Sequence, residues 1–395
     1  MGRRLVPVLV ATLLFLALQE LALRWVFPLP AVLGFDRGDY SPLEPGASEA
    51  RPASLGHASF IWASQPDGYA IEHRLNLHGF RDTEWTLRPQ PGLRRVAFIG
   101  DSFVEGFGSE NPDTLPAAFA GAVAERSVDV EALNLGVGGA GFSRYAWLVR
   151  DALPLLRPRD AILVLYANDL VPEPWDPSAL EQGPEFPRTN AWQPRLLHVL
   201  RERAARGQVP RRWHTEPFSY LPAVPDPRNP WSHERASARY ADKVSPAIAD
   251  AMREGRFNPA LVNWFGWAGE ALAKPVDWTP HLRALDAYAR EQGTRLFLVY
   301  LPSKSQVTDR YMDFQAEYAP GARSLTDDEY QLHARWLARS SAATGLAFLD
   351  LTPKLRAAES EDPELYWRYD DHLRPRGYQR VGRWIAEWWL EQKEP

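Results

Sequence analysis

A three-layer α/β/α sandwich built on a five-stranded parallel sheet is the fold this sequence predicts, and three observations predict it. Five short apolar runs, 94–100, 128–136, 161–168, 295–301 and 346–351, are each bounded by turn residues. Segments with helical spacing of apolar residues lie between them. The runs are apolar almost throughout instead of alternating, as in strands covered on both faces. Strand and helix alternating in this way make βαβ units, whose crossovers place helices on both sides of the sheet.

The elements follow in order. "RRVAFIG" (94–100) is the first strand, "LPAAFAGAVAER" (115–126) an amphipathic helix, and "VDVEALNLG" (128–136) the second strand. "FSRYAWLVRDALPLL" (142–156) is helical, and "AILVLYAN" (161–168) is the third strand. The rhythm then breaks over 171–278, which is rich in Pro and carries seven Trp. Only helical pieces such as "PAIADAMREG" stand out there, so the segment reads as an inserted cap. A helix at 279–292, the strand "RLFLVYL" (295–301), a helix near 326–343, the strand "LAFLDL" (346–351) and a last helix at 375–392 restore the rhythm. The main domain is thus expected over 91–395, preceded by an irregular or hairpin-containing lead-in at 28–90.

The first 27 residues carry Arg3 and Arg4, then an apolar run from Leu5 to Leu18. Extended to Phe27, with Glu20 and Arg24 able to pair and Trp25 suited to an interface, the segment is long enough to span a bilayer. No Ala-x-Ala site follows, so an uncleaved transmembrane anchor is expected, with the rest of the chain outside the cytoplasm. A cleaved signal peptide and a buried soluble helix are the alternatives. The chain of 395 residues has a net charge of −5 and no Cys. That balance offers no basic field for nucleic acid, and the absence of Cys excludes disulfides, thiol catalysis and Cys-bound metal.

Sites in open parallel sheets form beyond the carboxyl ends of the strands. The first strand ends in Gly100-Asp101-Ser102, the second in "NLGVGGAG" (134–141) and the third in "YAND" (166–169); "YDDHLRPRGY" (369–378) precedes the last helix. Together they hold what acyl transfer needs. Ser102 offers a hydroxyl, His372 a base, and Asp370 or Asp371 a carboxylate to orient it. The Ser102 N–H, an N–H of the glycine-rich turn and the Asn168 amide could stabilise an oxyanion. Taken singly, each has a bland reading: Ser102 as a helix cap, Asn168 in a turn, the acidic pair as surface charge. "GVGGAG" as a phosphate loop lacks the Walker spacing and lysine. His73 and His78 lack the carboxylates of a metal site. Lys304, in "PSKSQV", and Asp101 are candidate substrate contacts, with a solvated loop lysine as the alternative for Lys304.

These segments resemble the conserved blocks of the SGNH (GDSL-type) hydrolase family. "FIGDSFVEG" resembles the first block, "NLGVGGAG" the second, "YAND" the third and "DDHLRPRGY" the last, while "NLHGFRD" (76–82) resembles a lead-in of some bacterial members. The resemblance implies the flavodoxin-like SGNH fold with Ser102 as nucleophile and His372 as base. It implies an oxyanion hole of Ser102, Gly139 and Asn168, and no cofactor or metal. The family's Asp-x-x-His spacing would fall on Tyr369; its Asp-x-His form makes Asp370 the acid. The implied activity is serine-dependent acyl-ester hydrolysis, with O-acetylated extracytoplasmic carbohydrate as substrate and the insertion as its cap. O-acyl transfer through the same acyl-enzyme and a non-catalytic polysaccharide-binding or assembly role are the alternatives.

Overall fold

A computed structural model describes residues 2–22, 51–52, 58–64, 67–76, 78–86, 88–166, 169, 180, 218–219, 236–237, 246–254, 257, 277–308, 310, 332–368 and 370–392. Helix α1 spans Gly2–Leu21. The lead-in contains an antiparallel sheet in which Arg51–Pro52 pairs with β1 (Ala58–Ser64), and β1 with β2 (Tyr69–Arg74). The central sheet is formed by β3 (Arg94–Gly100), β4 (Val130–Gly136), β5 (Asp160–Tyr166), β6 (Arg295–Leu301) and β7 (Ala347–Asp350). Its order is β7-β6-β5-β3-β4, and every pairing is parallel. The expected five-stranded parallel sheet is therefore present.

Interspersed are α2 (Ser102–Glu105), α3 (Leu115–Ala124), α4 (Phe142–Leu156), α5 (Pro246–Arg253), α6 (Thr279–Glu291), α7 (Lys304–Val307), α8 (Leu332–Thr344), α9 (Thr352–Glu361) and α10 (Pro375–Glu391). Helices α3 and α10 pack together on one side of the sheet, where Phe119 meets Trp389 edge to face at 5.4 Å. Helix α6 packs with α4 and α8 on the other, and the Tyr288 hydroxyl donates to the Arg150 carbonyl at 2.7 Å. Two helical layers explain why β3 is buried along both faces from Arg95 to Gly100. Burial of each such Val, Phe or Ile side chain contributes roughly 1.5–3 kcal/mol.

Strand β3 has β4 on one side and β5 on the other, so the chain reverses direction across the sheet at β3. A crevice opens at such a switch point, beyond the strand's carboxyl end. At the opposite end Asp160, fully buried, accepts from Arg94 at 2.8 Å and Arg295 at 2.7 Å. This carboxylate ties β3, β5 and β6 together away from the crevice.

The transmembrane helix expected at 1–27 is not found. Among the described residues no helix is long and apolar enough to cross a membrane. Gln19 and Glu20 fall within α1 and confine its unbroken apolar run to Leu5–Leu18, short of the roughly 20 residues a bilayer requires. The Trp residues at 175, 192, 213, 231, 264 and 267 lie outside the described residues. Trp278 is described and buried at the start of α6.

Candidate active site

Strand β3 delivers Asp101 and Ser102 to the crevice. The helix that follows is only four residues long, and its N-cap is Asp101, whose carboxylate accepts the Phe103 N–H at 2.9 Å. Ser102, one position on, is therefore released from capping. Its hydroxyl lies 2.7 Å from His372 Nε2. On the other side of the ring, His372 Nδ1 lies 2.5 Å from Asp370 Oδ1, which also accepts the His372 N–H at 2.8 Å. A carboxylate can only accept, so Nδ1 carries a proton and Nε2 is left to accept from Ser102. The structure brings Ser102, His372 and Asp370 into one hydrogen-bonded line.

Asp371 sits elsewhere. Its carboxylate pairs with Lys304 at 3.2 Å. Lys304 is itself buried and donates to the Arg368 and Asp370 carbonyls, both at 3.1 Å. Its ammonium braces the loop that carries the acid and base, instead of facing a substrate as expected from sequence. Asp101 is likewise buried and engaged in capping.

The electrostatics fit a charge relay of position, not of proton transfer. Burial pushes His372 down, but the Asp370 carboxylate, with Asp101 and Asp371 behind it, leaves its pKa above the ordinary value. Burial would raise Asp370, yet His372 and the hydroxyl of Tyr69 hold it well below the usual carboxylate range. Burial raises Asp101 to about 6. The His372 ring is walled by Phe103 at 4.9 Å and Phe107 at 5.1 Å, centroid to centroid.

The oxyanion side is set by the first turn of α2 and the turn after β4. The Ser102 N–H is in the first turn of α2, where a helix provides no internal acceptor. Gly139 has φ +67° and is the exposed residue in the otherwise buried run 133–140. Only a residue without a Cβ takes that turn without strain. Its neighbour Gly138 donates its N–H to the buried carboxylate of Glu105 at 2.8 Å. Asn168 lies outside the described residues. Asp169, which is described, accepts from the Tyr145 hydroxyl at 2.9 Å and from the Tyr166 N–H at 2.8 Å.

Several residues of the site were not anticipated. Arg81, fully buried, donates to the Gly106 carbonyl at 2.5 Å and the Ser109 carbonyl at 2.6 Å, closing the end of α2. His73 Nδ1 lies 3.3 Å from Glu105 Oε1, and His78 stacks on Trp85 at 4.2 Å. Among the described residues, no group of three or more His, Asp or Glu side chains gathers around either histidine. Trp62 and Tyr69 donate to Asp370, and Asp67 accepts from the Asp370 N–H at 2.9 Å. The signal for Tyr69 was the alternation Tyr69-Ile71-His73, which puts all three on one strand face, toward the domain.

Two family models match the chain. The GDSL-like lipase/acylhydrolase family matches residues 98–285, and the SGNH hydrolase-like domain of the acetyltransferase AlgX matches 275–395. No curated protein matches. Among solved structures, a lipase/acylhydrolase from Enterococcus faecalis is 12% identical, with a TM-score of 0.35 over 75% of this chain and 94% of that one. A catalytic mutant of an acetylxylan esterase from Geobacillus stearothermophilus is 13% identical, with a TM-score of 0.35 over 75% and 92%. At such TM-scores the overlap carries no weight beyond the sheet order and the two models. Those models support an acyl hydrolase of the SGNH/GDSL kind.

Proposed function

We propose, from the premise that the chain is an SGNH/GDSL-type acyl hydrolase, that it removes O-acyl groups, acetyl above all, from a carbohydrate outside the cytoplasm. The observation that carries the chemistry is the line Ser102–His372–Asp370, with hydrogen bonds of 2.7 and 2.5 Å. Ser102 Oγ attacks the ester carbonyl while His372 Nε2 takes the hydroxyl proton. The carbonyl π electrons move to oxygen, which we assign the Ser102 and Gly139 N–H groups and the Asn168 amide to stabilise. Each such donor is worth about 10²–10³ in rate. Collapse of the tetrahedral species breaks the bond to the sugar oxygen, which takes the proton from His372 and leaves as a hydroxyl, and an acyl-serine remains. Water, activated by His372, then releases the carboxylic acid and restores Ser102.

Transfer of the acyl group to a second sugar hydroxyl is the alternative reading, favoured by the AlgX-type match over 275–395. Acetylated polysaccharides and p-nitrophenyl acetate, offered to wild type and Ser102→Ala, test both. Hydrolysis gives free acetate that disappears in Ser102→Ala. Transfer gives an acetylated acceptor at the expense of acetate release. Activity and fluorophosphonate labelling that persist in Ser102→Ala would end either reading.

Helix α1 supports a further part of the proposal, attachment of the chain to a membrane or another apolar surface. Leu13, Leu14, Phe15 and Leu18 are each more than half exposed. Large apolar side chains exposed together favour burial against an apolar surface. Full-length chain recovered wholly in the soluble fraction of its cell would overturn this attachment.

A further inference from the structure

The acid of the site is held from outside the parallel sheet. Asp370 Oδ1 is occupied by His372, through both the ring and the backbone N–H. Its other oxygen, Oδ2, accepts from the Trp62 indole at 2.9 Å and the Tyr69 hydroxyl at 2.7 Å. Both donors come from the β1–β2 hairpin. Between them, Asp67 accepts the backbone N–H of Arg368 at 3.1 Å and of Asp370 at 2.9 Å. Trp62 also lies 4.6 Å from Phe107 and 6.1 Å, edge on, from the His372 ring. Burial and the neighbouring Asp370 push the Tyr69 phenol far above its ordinary pKa, so it remains a donor at every working pH.

We propose that Trp62 and Tyr69 are positioning residues that orient the Asp370 carboxylate and set how strongly it attracts the His372 ring. The proposal rests on the assignment of Ser102, His372 and Asp370 as the reacting line. Two donors on Oδ2 fix the carboxylate plane so that Oδ1 faces Nδ1. They also draw off part of its charge, because a hydrogen bond to the ionised form stabilises it. Losing one donor leaves Asp370 more basic and the imidazolium more strongly held. The charged and titratable groups that also act on this pair are Asp101 at the end of β3, Asp371 with its partner Lys304, Tyr378 and Asp67. None of them changes in the substitutions below.

The test is the titration of the His372 ring, followed by NMR in Ser102→Ala protein and identified by its loss in His372→Gln. Tyr69→Phe is expected to raise the imidazole pKa by about half a unit to one unit. Trp62→Phe, which keeps the aromatic packing, is expected to move it the same way. In the Ser102-containing enzyme, each change should lower kcat about tenfold with KM little altered. Unmoved titration curves in both folded variants overturn the proposal, as does a downward shift in both. A folded wild-type protein without esterase or transferase activity would instead refute the hydrolase reading, and the titration would still decide the role of Trp62 and Tyr69.

Discussion

His372 sets the pH behaviour of the site. The reacting form of a general base is the neutral one, and the Asp370 carboxylate outweighs burial to raise the pKa of this ring above its ordinary 6.5. Acidification therefore protonates the base early. A plot of kcat/KM against pH is expected to fall on its acid side through a pKa above 6.5. Asp370→Asn removes the nearest carboxylate, so that limb should move to lower pH while kcat drops about 10⁴-fold. Asp371→Asn, which breaks the pair with Lys304 and takes one of the more distant carboxylates from His372, should leave kcat within about tenfold of wild type. A reversal of the two effects would hand the orienting role to Asp371. At this scale the sequence left two readings of Ser102, cap or nucleophile. The backbone decides it, because the cap is Asp101 and the Ser102 hydroxyl is free for His372.

Among the elements, the turn after β4 and helix α2 are built against each other. A Cβ placed on Gly136 would come within 2.1 Å of the Glu105 backbone nitrogen, inside the helix that begins with Ser102. Backbone cannot rotate away as a side chain can, so Gly136→Ala must displace one element. It is expected to cost about 1–3 kcal/mol in urea unfolding and to lower kcat more than tenfold in the folded protein. Unchanged kcat would mean that α2 tolerates the shift. All five strands were legible as apolar runs, within two residues at either end, and so were α3, α4, α6 and α10, whereas α9 was not read. The short helix α2 was not, since four residues hold too little periodicity to read. The β1–β2 sheet was legible only as an unplaced hairpin in the lead-in: its outward residues Ala70, Glu72 and Arg74 are polar or small, and its inward face makes sense only against the loop at Asp370.

For the molecule as a whole, the two ends of the sheet do different work. Asp160→Ala would leave Arg94 and Arg295 without their shared buried carboxylate, and is expected to destabilise the fold by about 3–5 kcal/mol. Activity per folded molecule should hardly change, because Asp160 starts β5 whereas Ser102 follows the far end of β3. A parallel loss of kcat and stability would show that the clip reaches the site. By itself the sequence determined the parallel α/β architecture and the types of group at the strand ends, because covered strands and their turns are written in local composition. It left open which of two adjacent aspartates meets the histidine and whether Lys304 faces a substrate. It also did not show that a hairpin some 300 residues away completes the acid. Only the tertiary structure decided these. Each depends on the direction of a side chain and on partners remote in the chain, and no local spacing encodes either.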